Sequence, residues 1–118
     1  MTFKILKSNN IDIRVKIEGS GPLIVLVHGC PESWYSWRHQ IPLLTKKGFT
    51  VAAIDVRGYG GSSKPYEIKA YSMRELTNDV IGVIDALGFE NAILMGRDWG
   101  GPIAVSYTHL TLPTTYTV

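Results

Sequence analysis

The 118-residue sequence holds a single cysteine, Cys30, so no disulfide can form within the chain and no thiol cluster is there to bind a metal. Its histidines, His28, His39 and His109, are scattered, which leaves no ligand spacing of the metal-site kind; no metal and no other cofactor is implied. Long apolar runs are missing as well. The longest aliphatic stretch, LIVLV at 23–27, is far short of a membrane span, and MTFKILKSNN at the start has no signal-peptide core. Nor does either charge dominate. A formal net charge of +2 with interspersed signs provides no basic stripe for a phosphate backbone, so neither nucleic acid nor membrane is an expected partner. What is present, 45% hydrophobic and 19% charged residues, is the composition of one small globular domain, with a reducing cytoplasm as its expected compartment.

Patterning then sets the elements. Ile11, Ile13, Val15 and Ile17 alternate with Asp12, Arg14, Lys16 and Glu18, the period-two signature of a half-solvated strand. Residues 2–6 are expected to pair with it through a hairpin turn at Ser8-Asn9-Asn10, and Gly19-Ser20-Gly21-Pro22 breaks the chain afterwards. LIVLV at 23–27, VAAI at 51–54 and NAILMG at 91–96 are continuous apolar runs, as expected of strands buried on both faces of a parallel sheet. Between them, Met73, Leu76, Val80, Val83, Ile84 and Leu87 recur at helical spacing over 72–87. Ser72-Met73-Arg74-Glu75 reads as a capping box at one end of this helix, and Gly88 as a left-handed stop at the other. A second helix is expected over 33–47, with Trp34, Trp37, Ile41 and Leu44 on one face and a kink or break at Pro42. Helices alternating with strands after a leading antiparallel hairpin predict an α/β fold with a mostly parallel sheet flanked by helices.

The last residues depart from this pattern. VSYTHLTLPTTYTV, 105–118, has no charged residue and five threonines, where a helix should follow the turn at 94–101. VSYTHLTLPT resembles the translation of a transposon-end sequencing adapter. On that reading residues 1–104 are a truncated natural domain and 105–118 a non-native tail, which leaves the far edge of the strand at 91–96 without a partner.

Chemistry concentrates at three strand ends. In LMGRDWGG, 94–101, Gly96 and Gly100 flank a short turn after an apolar strand, and Gly100-Gly101 allows a helix to approach the sheet. This is the frame in which G-x-S-x-G presents a nucleophilic serine, with Asp98 in the serine's place. A carboxylate just before a helix most often caps it; the strand, the flanking glycines and the glycine pair favour a nucleophile. A serine attacking a saturated carbon would leave a stable ether, whereas a carboxylate leaves an ester that water can open. An acid in this slot therefore suits substitution at alkyl carbon, as in epoxides and alkyl halides. The second cluster, His28-Gly29-Cys30-Pro31, follows the strand at 23–27. Oxyanion holes on such folds combine the N–H after the nucleophile with one from an earlier strand's loop, which nominates the amides of Trp99 and Cys30. The Cys30 thiol is incidental to that role, and His28 reads as a brace for the loop rather than a base. The third stretch, DVRGYGGSSKP at 55–65, matches neither phosphate-binding glycine pattern and reads as a structural loop.

Taken together, HGCPESWYSWRHQIPLL, DVRGYGGSSKP, the helix ending DALGF, and GRDWGGPIA resemble the N-terminal part of the epoxide hydrolase branch of the α/β-hydrolases, over residues from about 3 to Ala104. The resemblance implies an alkyl-enzyme ester on Asp98, oxyanion amides at Trp99 and Cys30, and a cis peptide before Pro31. It implies a small-molecule substrate, an epoxide or, as the alternative, an alkyl halide. It further implies a histidine base, a partner acid and two tyrosines from a helical cap, all beyond Ala104, so that the 118 residues by themselves are expected to be inactive. Tyr35, Tyr59, Tyr66 and Tyr71 precede the expected cap and are not those tyrosines. Similar sequences read G-H-D-W-G, whereas Arg97 precedes the acid here; a cation at that position favours the ionised carboxylate and could also pair with it.

Overall fold

Asn9 and Asn10 make the first turn of the chain. In the computed structural model, which describes residues 2–29, 32–97, 103 and 116–117, both adopt positive φ, 53° and 66°. A two-residue hairpin needs that conformation, and asparagine tolerates it better than most side chains. The turn joins β1 (Thr2–Ser8) to β2 (Ile11–Gly19), antiparallel, with Ser8 opposite Ile11.

Strand β2 differs from its sequence pattern on one face. Ile13 and Val15 are fully buried as expected, but Lys16 on the other face is only 3% exposed. The reason is a cover: the Lys16 ammonium lies 4.3 Å from the Phe3 ring centre and 5.3 Å from that of Trp34, which meet edge to face. Stacking a cation between aromatic rings offsets part of its desolvation.

Three parallel strands follow: β3 (Leu23–Val27), β4 (Thr50–Ile54) and β5 (Ile93–Gly96). A short β6 (Tyr116–Thr117) runs parallel to β5, so the far edge of β5, expected to be open, is paired at Ile93 and Leu94. The sheet order is β1-β2-β4-β3-β5-β6, with β2 antiparallel to β4.

Because side chains alternate across a strand, β3 and β4 each serve two cores. Leu23, Val25, Val27, Ala52 and Ile54 face one core, together with Val80, Val83 and Ile84 of helix α2 (Met73–Ala86, numbered after α1, Gln40–Lys46). Ile24, Leu26, Val51 and Ala53 face the other, closed by Ile41, Leu44, Trp34 and Trp37.

Helix α2 carries the caps that the sequence announces, with one change. Ser72 Oγ accepts from the Glu75 N–H at 3.3 Å, but the Ser72 N–H is given to the Lys69 carbonyl of a preceding 3-10 turn, Ile68–Tyr71. Half of the capping box is therefore replaced by a backbone turn. At the other end Gly88, φ 83°, lets its own N–H reach Asp85 and that of Phe89 reach Ile84, the paired bonds of a Schellman stop.

The stretch 33–47 is broken before Pro42 rather than at it. A 3-10 turn, Trp34–Trp37, ends ahead of α1, and Pro42 is the third residue of α1. In the first turn of a helix an N–H has no intrahelical acceptor, so its absence from proline costs nothing there. Among the described residues no helix is long and apolar enough to cross a membrane.

Candidate active site

The chain leaves β3 for β4 on one side, with α1 over one face, then returns past β3 to β5 on the other side, with α2 over the opposite face. Strand order thus reverses about β3. The chain after β3 leads to α1 over one core, whereas Ile103, downstream of β5, packs in the opposite core, and open α/β sheets hold ligands in the crevice between two such strands.

Of the site residues expected from sequence, His28 and Gly29 are described and sit at this edge, directly after β3 and buried. Cys30, Pro31, Asp98 and Trp99 lie outside the described residues. Their chain neighbours Gly29, Glu32 and Arg97 do not: the Arg97 N–H donates to the Val27 carbonyl at 3.1 Å, which carries the β3–β5 ladder one residue past Gly96.

Both ring nitrogens of His28 are committed. Nε2 accepts from the Val56 N–H at 2.9 Å, so the proton sits on Nδ1, which donates to the Gly29 carbonyl at 2.7 Å. Burial lowers the His28 pKa below its ordinary value of 6.5, more than the Gly29 bond and the nearby carboxylates of Asp55 and Glu32 raise it. A neutral, doubly bonded imidazole braces the β3 and β4 loops against each other; it has no lone pair left for a water.

Three further groups shape the edge. Asp55, fully buried at the end of β4, accepts at Oδ1 from the Trp34 N–H (2.9 Å) and at Oδ2 from Arg14 Nε (2.7 Å) and the Gly61 N–H (3.0 Å). Its loop folds so closely around it that a Cβ on Gly60 would fall 2.3 Å from Asp55 Oδ2, and Gly60 has φ 53°. Arg57 grips Asp79 of α2 with two bonds, Nε to Oδ2 at 2.9 Å and Nη2 to Oδ1 at 2.8 Å, while Nη1 donates to the Ala70 carbonyl at 2.7 Å. The bonds to Asp79 raise the Arg57 pKa further, and removing one member of such a buried pair typically costs about 3–5 kcal/mol. Glu32, finally, accepts the Gly29 N–H at Oε1 (2.9 Å) and places Oε2 3.6 Å from Nη2 of Arg97.

Beside these groups lies a cavity of about 490 Å³, lined by His28, Gly29, Tyr59, Tyr71, Met73 and Leu76 among others, a size that suits a small organic ligand. Tyr59 stands edge-on to His28 with 5.4 Å between ring centres, and the Tyr71 hydroxyl donates to the Pro65 carbonyl at 2.6 Å. Tyr66 is fully exposed and Tyr35 largely so.

A family profile described as alpha/beta hydrolase fold matches residues 22–114. The chain belongs to the α/β-hydrolase fold family. Within that family it is similar to the epoxide hydrolase branch. It is 58% identical over 90 residues to epoxide hydrolase B of Mycobacterium tuberculosis, covering 76% of this chain and 25% of that protein. The solved epoxide hydrolase from an endophytic Streptomyces superposes with a TM-score of 0.92 at 46% identity, over 98% of this chain and 34% of that one. Epoxide hydrolase VrEH1 from Vigna radiata gives 0.92 at 36% identity, over 98% and 36%. The chain therefore spans about a quarter to a third of the length of these α/β-hydrolases.

Sequence reasoning overlooked Glu32, Asp55 and the Arg57–Asp79 pair. A signal existed for Asp55: a charged residue directly after a fully buried strand must find partners inside the fold. For Asp79 the only hint was an acid within the apolar stripe of α2, beside Val80.

Proposed function

We propose that the chain is the nucleophile-bearing part of an epoxide hydrolase, acting on small-molecule epoxides through a covalent ester on Asp98. What supports this reading is an acid in the position that the sequence motif gives to a nucleophile, directly after Arg97, whose N–H extends β5 along β3 to the switch-point crevice, in a chain 58% identical to an epoxide hydrolase over 90 residues. In the first step the Asp98 carboxylate attacks a ring carbon; the C–O bond breaks, an ester forms, and the released alkoxide takes a proton from a neighbouring acid or from water. In the second step water adds to the ester carbonyl, and the oxyanion is held by the Trp99 and Cys30 amides. Collapse returns the Asp98 carboxylate and releases a diol.

The second step requires a base to deprotonate the water. His28 cannot serve, because its Nε2 is already bonded to the Val56 N–H. The base, its partner acid and the acid that protonates the ring oxygen are assigned to the part of the relatives that these 118 residues do not span. On this reading the chain alone stops at the ester.

The test is to incubate the 118-residue chain with styrene oxide and follow intact mass. The expected result is a slow gain of one epoxide mass, mapped by peptide sequencing to Asp98, absent in Asp98→Asn and with no diol released. Modification spread over surface nucleophiles, or equal labelling of Asp98→Asn, would rule out the ester mechanism.

A further inference from the structure

Glu32 stands across the crevice between the ends of β3 and β5. Its backbone N–H donates to the Gly29 carbonyl at 3.0 Å, which also accepts from His28 Nδ1, while its Oε1 accepts from the Gly29 N–H at 2.9 Å, so both polar groups of Gly29 are bonded to Glu32. The other carboxylate oxygen faces Arg97 at 3.6 Å. The Glu32 side chain is 25% exposed and that of Arg97 61%, so the pair adds little to stability; its importance lies in where it puts the charges. Arg97 is fixed in its backbone by the bond to Val27 and is the residue immediately before Asp98. An unpaired guanidinium beside a nucleophilic carboxylate stabilises the anion and blunts its attack.

We propose that Glu32 is a positioning residue, which fixes the loop after β3 through the Gly29 amide and draws the charge of Arg97 across the crevice. The proposal rests on the reading of Asp98 as the nucleophile. It accounts for Arg97 directly before the acid: a carboxylate on the facing loop holds the cation.

The two duties separate by substitution. Glu32→Gln keeps an acceptor for Gly29 and removes the charge, whereas Glu32→Ala removes both. Labelling by styrene oxide is compared for these variants with Arg97 present and in an Arg97→Gln background, with thermal melts confirming that each variant is folded. Glu32→Gln is expected to slow labelling about tenfold when Arg97 is present and by less than about twofold in Arg97→Gln. The deficit of Glu32→Gln shrinks in about 0.5 M NaCl, which screens a half-exposed charge; that of Glu32→Ala persists in part. Equal losses in both backgrounds, or losses indifferent to salt, overturn the charge-holding role.

A second readout needs no epoxide. Hydrogen exchange at the Gly29 amide is expected to stay protected in Glu32→Gln and to quicken about tenfold in Glu32→Ala. Unchanged exchange in Glu32→Ala overturns the hold on the loop. Should the unsubstituted chain take up no label at Asp98, the ester reading fails, while the Glu32 tie is still decided by the exchange data.

Discussion

His28, read from the sequence as a brace for its loop rather than a base, is spent on architecture in the structure, and that gives it a measurable pH signature. Folded His28 has its pKa lowered by burial, and both ring nitrogens are bonded as the neutral form requires. The unfolded chain therefore binds the proton more readily. The contribution to stability is complete above the unfolded value of about 6.5 and is lost as pH falls below it, at no more than about 1.4 kcal/mol per pH unit for one proton. Urea melts taken from about pH 7.5 down to 5.5 should show this loss, and His28→Asn should flatten the slope. An unchanged slope in the variant would assign the acid sensitivity elsewhere. The bracing role was legible from sequence, but the partners behind it were not. The partner of His28 is the amide of Val56, 28 residues away, and the partners of Asp55 come from Arg14, Trp34 and Gly61. No local pattern carries contacts that only the finished sheet brings together.

Whole elements were easier to read than residues, wherever local and long-range preferences agree. Helix α2 shows its apolar stripe, its Ser72 cap and its Gly88 stop in the sequence because each is set within a turn or two of chain. The caps also predict energies. Ser72→Ala is expected to cost about 1 kcal/mol, and Gly88→Ala a similar amount. At Gly88 a Cβ would meet nothing within 4 Å, so that cost is purely one of backbone conformation. Denaturant melts of the two variants would check this; a neutral Gly88→Ala would mean that the Schellman turn relaxes freely. The stretch 33–47 was less legible, because Trp34, the first residue of its 3-10 turn, gives its N–H to the Asp55 carboxylate, a partner 21 residues away. Lys16 was misread for the same reason. Strand alternation predicts which side chains share a face but not that Phe3 and Trp34 will cover the polar one.

At the scale of the molecule, the alternation of apolar runs and helices was enough to anticipate a mostly parallel sheet, but not that β3 would lie between β4 and β5. That order creates the crevice and divides the two cores. The loop of residues 55–63, for all its glycines, is stitched down: the Ser63 N–H donates to the Asp12 carbonyl, the Arg14 N–H to Ser62 Oγ, and the Gly61 N–H to Asp55. A few residues on, Tyr66 and Ile68 are almost wholly exposed. Limited digestion with chymotrypsin should therefore nick the chain first after Tyr66 and leave the glycine-rich loop intact. The resulting pieces, one with β1 to β4 and the other with α2 and β5, should still co-elute on gel filtration. They share the β3–β5 ladder, the Arg57–Asp79 grip and the bond from Ser8 Oγ to the Asp79 carbonyl. First cleavage within 55–63, or separation of the pieces, would show that these ties are weaker than their geometry suggests. If they hold, the exposed segment around Tyr66 is a place where the polypeptide can be severed without severing the fold, and the two halves become candidates for reassembly as a split protein.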